Sequence, residues 1–177
     1  MRTRRTSRGI TLVEAGIVTA IVAITVSAAA PDFSGFLERQ RLDGAASQLV
    51  SDIQFARTEA VMRNQGVRLS LHADAGGACY LVHTGTAADC SCASDGSASC
   101  SAEATLLRTV ALTANERIHV SGTAASIRFD PLHGTSSPTG TLRLAAPSGR
   151  AIHHVVNLMG RVRSCSPQGS VPGYRVC

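Results

Sequence analysis

Apolar and polar positions follow three rhythms along this chain. From Ile10 to Ala30 the run is almost wholly apolar, with Glu14 as its one charged residue. At about 1.5 Å per residue, a helix over those positions just crosses a hydrocarbon layer of ~30 Å. From Leu42 the apolar positions fall on a helical stripe of Leu42, Ala46, Leu49, Ile53, Ala56 and Ala60. Arg39, Arg41, Asp43, Asp52, Arg57 and Arg63 lie mainly off that stripe. Together these predict one long helix from about Ile10 to Asn64, with Pro31 closing its apolar half and Gly66 as its stop.

Beyond Gly66 the period drops to two. Val67–Leu71, Cys79–His83, Leu106–Leu112, Ile118–Val120, Ile127–Phe129, Thr141–Leu144 and Ile152–Val156 read as strands, separated by clusters of Gly, Pro, Asp and Ser. One helix followed only by strands predicts an α+β fold, a long N-terminal helix packed on an antiparallel β-sheet head. Residues 84–104, mostly Ala, Ser, Gly, Thr and Cys, read as a surface loop. The expected organisation is residues 1–9 before the apolar run, 10–31 as its membrane or filament half, 32–64 as an amphipathic half, and 65–177 as the head.

Composition narrows the function. With 44% hydrophobic and 16% charged residues, the 177-residue chain is not a disordered protein. Aromatics are 3% and tryptophan is absent, which excludes a binder that stacks bases on an aromatic surface. All 17 basic residues are arginine. Arg2, Arg4, Arg5 and Arg8 precede the apolar run and hold that end in the cytoplasm. From Arg128 to Cys177 six arginines face one acid, Asp130, so an anionic partner is expected there.

Three readings fit the N-terminus: a signal peptide cut near Ala28–Ala30, a single-span anchor, and a segment cleaved after Gly9 that keeps its apolar run. Glu14 separates them. A carboxylate in an apolar helix is costly without a partner, and only helices stacked in a filament supply one, the new α-amino group of a neighbour. The stretch Arg8-Gly-Ile-Thr-Leu-Val-Glu14 resembles the class III prepilin signal of type IV pilins and type II secretion pseudopilins, with Ile10 where phenylalanine is usual. That resemblance implies a leader at 1–9, cleavage after Gly9 by a prepilin peptidase and methylation at Ile10. Pro31 also sits where such pilins carry a helix-kinking proline.

The helix, Phe129-Asp-Pro, Gly140-Thr-Leu and Gly160-Arg-Val-Arg163 together resemble the GspH/FimT family of minor pilins and pseudopilins over nearly all of residues 9–165. The resemblance implies the type IV pilin fold. It also implies a single-pass inner-membrane protein with a periplasmic head, later incorporated into a pilus or pseudopilus beside other pilins.

Six cysteines point to an oxidising compartment. Cys165 and Cys177 close a short loop and are the first expected disulfide. Cys79, Cys90, Cys92 and Cys100 then pair among themselves, with Cys79 to Cys90 or Cys100 as one arrangement. Zinc on Cys90, Cys92 and Cys100 is disfavoured by the one-residue spacing of Cys90 and Cys92, so no metal is expected. His153 and His154 adjoin on a strand and so face opposite ways. No nucleophile-and-base pattern, phosphate loop or paired carboxylate appears, so neither catalysis nor a cofactor is expected.

In an extended segment Arg161 and Arg163 point to one side, about 6–7 Å apart. Two guanidinium forks at that spacing suit successive phosphates of a nucleic-acid strand. Arg143, Arg150 and Arg175 are candidates to widen the patch. Gly-Arg-x-Arg is similar to the DNA-binding motif of FimT minor pilins, which implies phosphate contacts at Arg161 and Arg163, a turn permitted by Gly160, and uptake of duplex DNA in natural transformation. The competing expectation is a solvated face, or pairing with Asp130 or Glu116, in a GspH-like pseudopilin of type II secretion with a purely structural role.

Overall fold

The computed structural model describes residues 11–177 apart from 75–76, 94, 102 and 114–116, with the side chains of 28–32, 74 and 113 also outside the description. The cleavage positions Gly9 and Ile10 and the acid Glu116 lie outside the described residues. Helix α1 spans Leu12–Arg63. Thr11 starts it: its hydroxyl accepts from the Glu14 N–H at 3.2 Å and its carbonyl from the Ala15 N–H at 3.1 Å. The chain divides into two compact units, Met1–Leu37 and Glu38–Cys177.

In the first unit the apolar side chains of residues 12–27 are exposed, Leu12 to 90% and Ile24 to 68%. Phe33 and Phe36 stack with ring centres 6.5 Å apart. No helix among the described residues is long and apolar enough to cross a membrane. The side chain of Pro31 lies outside the description.

In the second unit the whole stripe from Leu42 to Ala60 is buried. Three of its six positions are alanine, each fully buried. α1 ends in a Schellman motif. Asn64 takes the left-handed conformation at φ 50°, its N–H donates to Val61 O, and the Gln65 N–H donates to Ala60 O. The stop is therefore Asn64 and not Gly66. At Gly66 the Arg128 guanidinium lies over the backbone, 2.6 Å from where a Cβ would stand.

Among the described residues twelve strands follow: β1 Val67–Asp74, β2 Gly77–Thr84, β3 Cys90–Cys92, β4 Ala98–Cys100, β5 Leu106–Thr113, β6 His119–Gly122, β7 Ser126–Phe129, β8 Ser136–Ser137, β9 Gly140–Ala145, β10 Ala151–Val156, β11 Val162–Ser166 and β12 Arg175–Val176. They form two five-stranded sheets, ordered β5-β2-β1-β7-β8 and β12-β11-β10-β9-β6, and the β3-β4 ribbon. All pairings are antiparallel except β11 with β12. The α+β class is as expected, with two sheets in place of one. Residues 84–104 are corrected from a plain loop to a loop carrying a ribbon. Its strands are three residues each and small, so they show no alternation to read.

The disulfides pair Cys79 with Cys92, Cys90 with Cys100, and Cys165 with Cys177. Cys79 therefore bonds neither Cys90 nor Cys100. Those two sit directly opposite each other on β3 and β4, which leaves Cys92 to tie the ribbon to β2. All three cysteines of the zinc alternative are thus consumed.

Candidate nucleic-acid interface

Strand alternation in the second sheet sorts its side chains into two sets. Leu142, Leu144, Ile152, His154, Val156 and Ser166 are buried and face the core. The other set faces out. Cross-strand register places Arg175 opposite Cys165, Cys165 opposite His153, and His153 opposite Arg143, one continuous row across four strands. In the neighbouring row Arg163 lies opposite Val155, and Val155 opposite Thr141. With strands ~4.8 Å apart, Arg143 and Arg175 stand about 14 Å apart, with Arg163 offset ~7 Å along the strand.

Arg161 joins this face from the β10–β11 turn rather than from a strand. The turn is held tightly: the Gly160 N–H donates to Asn157 O at 2.8 Å, the Arg161 N–H to Asn157 Oδ1 at 2.9 Å, and the Asn157 N–H to Arg161 O at 3.1 Å. Asn157 was not singled out by sequence reasoning, although an Asn three residues before a Gly is a turn signature. Both Arg161 and Arg163 are exposed.

Among the described residues no salt bridge engages Arg143, Arg161, Arg163 or Arg175. The alternative partner Asp130 is used locally, its Oδ2 accepting from the Leu132 and His133 N–H groups at 2.9 and 3.1 Å. Those bonds, led by the one from His133, hold the Asp130 carboxyl below the usual carboxylate range. Arg150 departs from expectation. It stands in the turn before β10, where its Nη1 is 3.4 Å from Glu38 Oε1 and Ser148 also donates to Glu38. Arg150 serves to fasten α1 and is removed from the patch.

The C-terminal tail that carries Arg175 is fastened at several points. Cys177 is bonded to Cys165, the Arg39 guanidinium donates to Pro172 O at 3.1 Å, and Tyr174 Oη donates to Asp43 Oδ1 at 2.5 Å. Burial and then the Asp43 carboxylate push the Tyr174 phenol up to about 12, so it remains a donor at neutral pH. Arg163, Cys165, Arg175, Val176 and Cys177 line a concavity of about 500 Å³ on the outer face. His153, in the row between Arg143 and Cys165, is held below the ordinary imidazole value by burial and then by the Arg143 charge. The face is therefore a set of fixed arginine charges with a neutral imidazole between them at pH 7.

Gly160 has a structural demand independent of any ligand. It adopts φ 69°, and a Cβ there would collide with the Gly134 carbonyl oxygen and touch the Arg57 side chain at 3.0 Å. The same Arg57 donates to Gly134 O at 3.0 Å, so neither neighbour yields freely. Gly160→Ala should therefore lose about 2 kcal/mol from left-handed strain and displaced backbone. A fall in the urea midpoint at unchanged slope measures that loss.

The family model of the type II transport protein GspH matches residues 45–160. Two crystal structures of the type IV minor pilin FimU of Pseudomonas aeruginosa (strain PAO1) share the fold. In space group P21 the match has a TM-score of 0.56 at 19% identity and covers 75% of this chain and 97% of that one. In space group P65 the values are 0.53, 18%, 72% and 98%. No curated protein matches the chain.

Proposed function

Because the chain belongs to the GspH family, whose members are structural pilin and pseudopilin subunits rather than enzymes, we propose that it is a minor pilin of a type IV pilus whose outer basic face captures duplex DNA for uptake. The observation that carries this reading is the cluster of Arg143, Arg161, Arg163 and Arg175 on one surface, with no carboxylate paired to any of them among the described residues. Guanidinium forks grip phosphate oxygens and read no bases, so binding is tolerant of sequence and sensitive to salt.

In the same reading residues 1–9 are a leader and prepilin peptidase cuts after Gly9. Ile10 becomes the methylated N-terminus, and Glu14 pairs with the α-amino group of a neighbouring subunit. Residues 10–31 hold the subunit in the inner membrane until its helix enters the filament beside other pilins. Intact mass of the membrane-extracted protein should correspond to a start at Ile10. A start near Pro31 would overturn the processing scheme.

The DNA claim is tested with the full chain in non-ionic detergent micelles, titrated against a 30-base-pair duplex at two salt concentrations. The Arg161→Ala/Arg163→Ala protein should bind roughly tenfold to a hundredfold more weakly, with a log–log salt slope shallower by about 2. If the folded, oxidised wild-type protein does not bind even at low salt, the structural pseudopilin of a type II secretion system becomes the better reading.

A further inference from the structure

We infer that the tip of the β10–β11 hairpin is an apolar wedge that enters between base steps of the bound DNA and bends it. The inference rests on the DNA reading and deepens it. The tip is Asn157-Leu158-Met159-Gly160, and its two central side chains are 61% and 56% exposed. Turn centres normally carry small or polar residues, because a large apolar side chain there gains nothing from the core. Here two adjoin on a turn whose backbone is fixed. Asn157 closes the turn from within, while the Ser136 N–H donates to Leu158 O at 2.9 Å and Ser136 Oγ to Asn157 O at 2.6 Å. A rigid tip pays little ordering entropy on binding.

What surrounds the tip selects its occupant. Arg161 follows Met159 by two residues across the Gly160 turn, and Arg163 stands about 7 Å further along the extended chain. On the other flank lies the 130–135 loop, with exposed Leu132 and His133, whose carboxylate, Asp130, is spent on its own turn. An apolar tip beside two exposed arginines is complementary to a polyanion with apolar planes inside it. Leucine and methionine are among the side chains that unstack base steps, and the cost of unstacking is recovered by the extra phosphate contacts the bend allows. The basic face alone would hold straight DNA, whereas the tip gives it a preference for DNA that unstacks easily.

The test uses the full chain in non-ionic micelles and two 30-base-pair duplexes carrying donor and acceptor dyes at their ends, one intact and one with a central single-nucleotide gap. The wild-type protein should raise energy transfer on the intact duplex and bind the gapped one about tenfold more tightly, since the gap has already lost its stacking. Leu158→Ser/Met159→Ser, both exposed, should unfold at the wild-type temperature and bind intact duplex within about threefold of wild type. It should lose both the bend and the gap preference. Leu132→Ser, a neighbouring apolar loss outside the tip, should keep both. Wild-type binding with neither bend nor gap preference would overturn the wedge and leave the basic face standing, as would a serine variant that still bends. Absence of any wild-type binding at low salt would remove the DNA reading and the wedge with it.

Discussion

Asp52→Ala should cost about 3–4 kcal/mol and lower the urea midpoint more than any substitution on the basic face. Asp52 lies on α1 and is fully buried. Its Oδ2 accepts from Tyr80 Oη at 2.8 Å and from Gln48 Nε2 at 3.1 Å, and its Oδ1 is paired with Arg108. One carboxylate thus ties the helix to β2 and β5. Burial and the Asp52 hydrogen bond push the Tyr80 phenol up, so it stays a donor throughout the physiological range. Removing the acceptor leaves that buried hydroxyl without its partner, which accounts for most of the expected loss. Arg108 suffers less: its side chain is 41% exposed, and it keeps its place over the Phe55 ring, 4.6 Å from the centroid. Because the cost resides in the orphaned hydroxyl, Asp52→Ala/Tyr80→Phe should be more stable than the sum of the single losses predicts. Strict additivity would show that the phenol finds water.

The second large effect is acid destabilisation through His154. This imidazole lies on the core face of β10, with Nδ1 2.9 Å from Ser164 Oγ, directly beneath the basic surface. Burial pushes it down to about 4, against the Ala46 carbonyl and with a small contribution from His153. In the unfolded chain it titrates near its ordinary value of 6.5. Between those values the unfolded state holds the extra proton, so stability is complete above about pH 6.5 and falls as the pH drops toward 4. The full loss is about 3 kcal/mol, reached below the folded value. His83, buried on β2 and also shifted down, adds in the same direction. Urea midpoints at pH 7 and pH 4.5 should therefore differ more for the wild-type protein than for His154→Gln. Equal differences would mean that His154 carries its proton in the folded state.

Neither result could be read from the chain alone, and the reason differs in each case. Asp52 reads as a surface charge because it stands off the apolar stripe, yet it is fully buried where Tyr80 of β2 and Arg108 of β5 reach it. His154 was correctly placed on the face opposite His153 by alternation. That it is the inward one depends on which face of the sheet meets the helix. Arg150 and Arg143 stand in the sequence alike as candidates to widen the basic patch. Glu38, more than a hundred residues earlier, separates them by holding Arg150. The helix stop illustrates a local failure: asparagine tolerates left-handed geometry better than most residues with a Cβ, so Asn64 ends the helix two residues before the glycine that marks a stop in the sequence.

By itself the sequence determined what depends on near neighbours. The period of Leu42 to Ala60 makes an amphipathic helix, and the alternation after Gly66 makes strands, before any packing is known. The tertiary structure alone decided which distant residues meet. Cysteine pairing, the row from Arg175 through Cys165 and His153 to Arg143, and the exposed Leu158-Met159 tip beside Arg161 all follow from strand order and register. Register is set by the summed burial of two faces across segments far apart in the chain, and no local pattern encodes that sum.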